Sequence, residues 1–325
     1  MSEAVLVTGG AGFIGSHLVE RLLARGDRVV VVDDLSTGRL ENLAAVREHP
    51  DFHLVVDSIL NHPMMEEVVA NSDRVVHLAA AVGVRKILEK PVETITTNVR
   101  GTEIVLDCCH RHQKPLYFAS TSEIYGKAGD RLHEDHDRVM GSTSQRRWAY
   151  ACTKVMDEFL GLAYHQEKGL PLVIGRFFNI VGPRQTGEWG MVLPSLVGQA
   201  LREEPLTVFG TGEQRRCFLH VDDALDAVMG LMDRDDAVGR VFNIGTEEEI
   251  SILGLAHRIK ERTGSDSPVQ VIPYEKAYGT GFEDMERRQP DTTRIRNLLG
   301  WAPTRTLDGI IDEVARHMRE GMARE

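Results

Sequence analysis

No apolar run in this sequence approaches the roughly twenty residues that a helical membrane span needs. The N-terminus also lacks the basic-then-apolar plan of a secretory leader, so a protein with no membrane association, working in the cytoplasm, is expected. Cysteine is scarce. Cys108, Cys109, Cys152 and Cys217 show no metal-ligand spacing, and an adjacent pair is a poor start for a disulfide framework. Buried thiols in a reducing compartment and no metal are therefore expected. Basic residues are outnumbered, with 38 Lys and Arg against 49 Asp and Glu for a formal net charge of −11. This balance excludes a nucleic-acid-binding surface, which wants clustered cations. It does not exclude an anionic small molecule, which a few local Arg side chains and backbone N–H groups suffice to hold. Tandem repeats and low-complexity linkers are absent as well.

What remains is ordinary globular composition, 42% hydrophobic and 27% charged, in a 325-residue chain long enough for one large or two modest domains. Short β-rich runs alternate with helical patterns. Strands are predicted at Ala4–Thr8, Val29–Val32, His53–Val56, Arg74–Leu78, Leu116–Ala119, Leu172–Arg176 and Val241–Ile244. Helices are predicted at Ser16–Arg25, Thr97–His110 and Tyr150–Glu167. That alternation implies an α/β protein with a doubly wound parallel sheet. After residue 176 the loops lengthen, which predicts a second, smaller α/β substrate domain over 177–325, interleaved with a sheet domain over 1–176 to which 218–262 partly returns.

The first predicted strand runs into Thr8-Gly9-Gly10-Ala11-Gly12-Phe13-Ile14-Gly15 and then into a helix. Gly9 permits a tight turn, Gly12 lets backbone approach a pyrophosphate, and Gly15 allows close helix–strand packing. The helix N-terminus, around Phe13 and Ile14, offers N–H groups and partial positive charge to phosphates. Asp33 ends the second strand, placed to accept from adenosine ribose hydroxyls and to repel a 2′-phosphate. NAD is therefore expected rather than NADP. Asp57 and Ser58 either cap a turn or meet the adenine amine. Leu78 and Ala80 lie in a small-residue stretch that lets a cofactor come close. Asn98 either binds near the cofactor or orients a loop.

Tyr150 and Lys154 stand one helical turn apart on one face. An ammonium near a phenol favours phenolate, so Tyr150 is a candidate general base. Taken alone, such a pair is usually a solvated helix face; beside a dinucleotide loop it becomes a catalytic pair.

With the glycine loop, Ser120-Thr121-Ser122-Glu123-Ile124-Tyr125-Gly126, Tyr150 with Lys154, Arg176-Phe177-Phe178-Asn179, and Arg216 before Phe218-Leu219-His220-Val221-Asp222, the sequence resembles the extended short-chain dehydrogenase/reductase family almost end to end. These are the nucleotide-sugar epimerases, dehydratases and decarboxylases. The resemblance implies that Thr121 hydrogen-bonds the sugar 4-oxygen and that Asn179 and Arg216 hold a UDP moiety. Arg85, Ser122, Val192 and Tyr278 fall at further positions where substrate contacts are expected. Thr121-Ser122-Glu123 is similar to the triplet of UDP-glucuronate decarboxylases, whereas dehydratases carry an Asp where this chain has Ser122. The segment from Tyr278 to Pro290 resembles one in the same decarboxylases, whose catalytic Arg corresponds to Arg288. The implied reaction is oxidation at C4, loss of CO₂ from the resulting β-keto acid, and reduction to UDP-xylose or release of the 4-keto-pentose. A 4-epimerase of UDP-glucuronate or UDP-glucose is the alternative; a 4,6-dehydratase and a non-enzymatic NAD-binding regulator are further from the motifs. The resemblance also implies a homodimer, paired through the helices at 97–110 and 150–167.

Overall fold

The computed structural model describes residues 2–323 except 84–86, 88, 130, 188–190 and 279–283, with backbone alone at 278. Arg85 and the Tyr278 side chain, two expected substrate contacts, lie outside the described residues. Seven parallel strands form the central sheet: β1 (Ala4–Thr8), β2 (Arg28–Asp33), β3 (Phe52–Val56), β4 (Arg74–His77), β5 (Leu116–Thr121), β6 (Leu172–Phe177) and β7 (Arg240–Ile244). Their order is β7-β6-β5-β4-β1-β2-β3. All seven strands expected from sequence are present, each within a residue or two of its expected bounds.

The strands are apolar on both sides because helices cover both faces. Val5 and Val7 of β1 point into one core with α1 (Phe13–Arg25), while Leu6 between them enters the other. The second core packs against α2 (His62–Ala70), α3 (Pro91–Arg111) and α4 (Trp148–Lys168). α3 begins six residues before the expected Thr97, at Pro91, whose missing N–H and fixed φ suit the first turn. Strand order reverses on either side of β1. That reversal opens a crevice beyond the carboxyl ends of β1 and β4, where ligands of such sheets bind.

A third core joins α5 (Val192–Leu201), the loop residue Phe218, α7 (Ile252–Thr263) and α8 (Leu307–Met322) through Leu193, Leu196, Leu255, Ile259, Ile310 and Val314. Here α6 is Val221–Met232, which lies against α1 on the sheet side. Beside this core, short strands at Ile250–Ser251, Arg215–Arg216, Arg287–Pro290 and Arg131–Leu132 make a small sheet. Its parallel register pairs Arg216 directly with Arg288, which brings two distant arginines to one edge of the crevice. Among the described residues, no helix is long and apolar enough to cross a membrane. Cys108, Cys109 and Cys217 are buried free thiols as expected; Cys152 is exposed on the outer face of α4.

Candidate active site

A cavity of about 550 Å³ follows the crevice from the Gly9 turn to the small sheet. Its first half is made of backbone. Gly9 sits at φ +75, and a Cβ there would come within 2.8 Å of the Ala79 nitrogen, so glycine is required twice over. A Cβ at Gly15 would collide with the Gly9 carbonyl oxygen. Gly12 caps α1 with no side chain to satisfy the first N–H groups, and Gly12, Phe13, Ile14 and Gly15 all line the cavity. Asp33 is buried at the rim, its Oδ2 accepting from Ala11 N at 2.9 Å and its Oδ1 from Leu35 N at 2.9 Å. Burial pushes its carboxyl up while these amides oppose the shift. Such a carboxylate retains lone pairs for ribose hydroxyls, and a helix N-terminus with three glycines suits a pyrophosphate. The residues present fit NAD.

The other expected cofactor contacts divide. Asp57, Leu78 and Ala80 line the cavity. Ser58 instead accepts from Leu60 N at 3.2 Å, a turn role outside the lining residues. Asn98 is fully occupied with structure: its Oδ1 accepts from Ala81 N at 2.8 Å and its Nδ2 donates to Thr153 Oγ1 at 3.2 Å. It ties the loop after β4 to α4, the second of its two sequence readings.

At the far half, Tyr150 comes from the first turn of α4 and Thr121 from the end of β5. The Thr121 hydroxyl faces the Tyr150 phenol and favours its ionised form. Burial, then the charge of Glu123, pushes the Tyr150 phenol above its ordinary pKa. Lys154, expected to acidify this phenol, has its nearest carboxylate one turn along its own helix. Lys154 is buried, with its Nζ 3.3 Å from Asp157 Oδ2 and 3.9 Å from the centre of the Phe118 ring. An ammonium in an apolar layer is held by the nearest carboxylate, and here Asp157 is one turn further along the same helix. Burial lowers the Lys154 pKa, with Asp157 opposing.

Glu123 is the centre of an ionic chain. Its Oε1 lies 2.6 Å from Arg288 Nη1 and its Oε2 2.6 Å from Arg147 Nη1. Arg147 Nη2 reaches Asp284 Oδ1 at 3.0 Å, and Arg216 Nη2 reaches Asp284 Oδ2 at 2.8 Å. Tyr274 donates to the same Oδ2 at 3.0 Å. Burial alone would raise the Glu123 pKa, but Arg147 and Arg288 bring it down to about 2. Arg288 Nη1 is also 3.4 Å from Ser122 Oγ, and its Nε is buried without a hydrogen-bond partner among the described residues. Burial pulls the Arg288 pKa down.

Ser122, Asn179, Val192 and Arg216 line the cavity as expected. Asn179 adopts φ +40, a left-handed backbone that Asn tolerates better than most residues, and donates from Nδ2 to the Cys217 carbonyl at 2.8 Å. Arg147, Asp284 and Tyr274 were missed from sequence. Arg147 precedes Tyr150 by three positions, which on a helix is the same face, and that spacing was the available signal. Asp284 comes from the loop before Arg288 and carries no signature of its own.

Residues 5–245 match the NAD dependent epimerase/dehydratase family. A relative named UDP-N-acetyl-alpha-D-glucosaminuronate decarboxylase, from Bacillus cytotoxicus, is 40% identical over 98% of this chain and 99% of its own. UDP-glucuronic acid decarboxylase 4 of Arabidopsis thaliana is 38% identical over 92% of this chain and 65% of its own. Among solved structures, UDP-glucuronic acid 4-epimerase from Bacillus cereus, in complex with UDP-glucuronic acid and NAD, superposes with TM-score 0.88 at 28% identity, covering 98% of this chain and 99% of the other.

Proposed function

Because the chain belongs to the NAD-dependent epimerase/dehydratase family, we propose that it is an NAD-dependent decarboxylase of a UDP-hexuronate, with UDP-glucuronate as substrate and UDP-xylose or the UDP-4-keto-pentose as product. One observation carries this reading. The ionic chain in the cavity holds three guanidiniums, Arg147, Arg216 and Arg288, against two carboxylates, Glu123 and Asp284, a surplus of one positive charge. A buried excess cation is costly unless an anion joins it. The diphosphate of any UDP-sugar answers Arg216, so the discrimination falls on Arg288: a uronate carboxylate gives its guanidinium a second anionic partner beside Glu123, and the neutral hydroxymethyl of a UDP-hexose does not. Arg288, with Nε unpartnered beside Glu123, is the guanidinium that would receive it.

Bound NAD supplies the means of taking and returning hydride at C4. The chain's own groups do the rest. Tyr150 and Thr121 line the cavity together, at the position from which a proton of the 4-hydroxyl would pass. Once C4 is a ketone, the C5 carboxylate belongs to a β-keto acid, and departing CO₂ leaves an enolate. Arg288 is placed to stabilise that enolate, and ionised Glu123 to orient Arg288 and the ring. Arg216 and Asn179 are assigned to the UDP moiety.

A second reading comes from the Bacillus cytotoxicus relative, whose name specifies the 2-acetamido uronate. The chemistry at C4 and C5 is unchanged by that substituent. Incubation with UDP-glucuronate and with its 2-acetamido analogue, followed by mass and NMR analysis of products, tests both. Loss of the mass of CO₂ supports decarboxylation, and the faster substrate identifies the C2 group. Unchanged mass with galacturonate configuration would overturn decarboxylation in favour of 4-epimerisation.

The proposal extends to a cytoplasmic homodimer. Val92 and Ile95 on α3, and Met156 and Phe159 on α4, are exposed, Val92 at 77% and Phe159 at 66%. The two helices pack on each other, and a second copy would bury these side chains in a four-helix bundle. Sheet and substrate regions, 1–176 and 177–325 with 218–262 returning to the sheet, are read as two interleaved domains.

A further inference from the structure

We propose that the seam between α2 and α3 carries a site for a tetrahedral divalent cation, zinc above all, built from His62, Glu66, Cys108 and His112. His62 and Glu66 are four residues apart on α2, and Cys108 and His112 are four apart at the end of α3. Each helix therefore turns two donor side chains to one face. Cysteine spacing alone shows nothing here, because the donors come from two helices and two of them are imidazoles.

The geometry is close to closed. Donor atoms of His62, Glu66 and Cys108 lie within 4.8 Å of one another. His112 Nε2 lies 2.8 Å from Glu66 Oε1. The other carboxylate oxygen, Oε2, is buried without a hydrogen-bond partner among the described residues. With zinc bonds of about 2.0–2.3 Å, donors around a tetrahedron stand roughly 3.3–3.8 Å apart, so gathering His62, Glu66 and Cys108 needs a shift of about 1 Å, and His112 turns in from Glu66 as the fourth donor. His62, 41% exposed at the rim, has room for that rotation. Its Nε2 lies 3.8 Å from Asp107 Oδ2, and Asp107 is itself held by Arg111 at 2.8 Å. With that carboxylate facing Nε2, Nδ1 is left for the cation, and closing the 3.8 Å gap to a hydrogen bond on binding would give the support usual behind a metal-binding histidine.

The donor set selects the cation. Two imidazoles, a thiolate and one carboxylate suit zinc; calcium and magnesium take oxygen ligands. Burial, and then the facing Glu66, push the Cys108 thiol up to about 12. On binding, the cation takes the place of the thiol proton, which leaves to solvent. The bound cation would tie α2 to α3, and with them the segment before α2, whose Asp57 and Ile59 line the cavity.

The experiment uses the full chain, stripped with chelator and titrated with Co²⁺ alone, then with Zn²⁺. We expect a near-ultraviolet thiolate-to-cobalt absorption that saturates at one equivalent per chain, is bleached by zinc, and accompanies a rise in melting temperature. Cys108→Ser should abolish the band, and His62→Ala or His112→Ala should weaken binding by roughly tenfold or more. His62→Ala alters an exposed rim position and is the variant that keeps the fold; Cys152→Ser is the control and should change nothing. Absence of the band, its survival in Cys108→Ser, its loss in Cys152→Ser, or unaltered affinity in His62→Ala would each overturn the site.

Discussion

Glu123 Oε1 and Arg288 Nη1 meet at 2.6 Å inside the cavity, a pairing made by β5 and a two-residue register of the small sheet far along the chain. The carboxylate that the Thr-Ser-Glu triplet offers is therefore an ionised partner of two guanidiniums. Free proton donation by Glu123 near neutral pH is not available in this arrangement.

Glu123→Gln keeps the shape and removes the charge that orients Arg288. Oxidation at C4 should proceed while CO₂ release slows by roughly 10²–10³-fold, the usual loss when a group stabilising a developing anion is mispositioned. Tyr150→Phe should block oxidation itself, so no NADH absorbance develops. Single-turnover absorbance combined with product mass separates the two steps; equal losses in both steps for Glu123→Gln would contradict the assignment.

The pKa of Glu123 falls from 4.5 to about 2 on folding. The carboxylate therefore contributes stability that is present above pH 4.5 and is lost as pH falls toward 2. Urea unfolding of the native protein and of Glu123→Gln should show a gap that is constant from pH 8 to 5 and shrinks below 4.5. A gap that widens on acidification would mean the carboxyl is protonated in the folded state.

Lys154 and Asp157 form a buried pair, so removing one member leaves an uncompensated charge. Lys154→Met should destabilise by about 3–5 kcal/mol, and adding Asp157→Leu should recover much of the loss. Chemical denaturation of Lys154→Met, Asp157→Leu and the double variant gives the coupling. If the single and double variants are equally unstable, Asp157 is not the partner that holds Lys154.

Asp33 accepts from two backbone amides, which an Asn side chain cannot do with both of its atoms. Asp33→Asn should cost about 1–3 kcal/mol in stability. It should also weaken discrimination against NADP, because the charge that repels a 2′-phosphate is gone. Isothermal titration with NAD and NADP reads this directly; an unchanged ratio of affinities would remove Asp33 from cofactor selection.

Phe159 is the largest exposed apolar side chain on the α4 face. Phe159→Glu should give monomers by light scattering at micromolar concentration, while the native protein is dimeric. A native monomer would leave these side chains without the partner proposed for them.

The sheet was legible in the sequence because its strands are buried on both faces and read as unbroken apolar runs. The dinucleotide turn was legible because Gly9 and Gly15 occupy positions where any Cβ collides with backbone, a requirement written locally in eight residues. Tyr150, Thr121, Glu123 and Arg288 were legible as residue types in a recognisable order. Their electrostatics were not. That Lys154 turns to Asp157, that Asn98 is spent on Ala81 and Thr153, and that Arg147 and Asp284 complete the chain through Glu123 depend on which groups tertiary packing leaves without water. Local sequence specifies backbone conformation and residue chemistry. Burial, which only the assembled structure decides, specifies which charges must find each other.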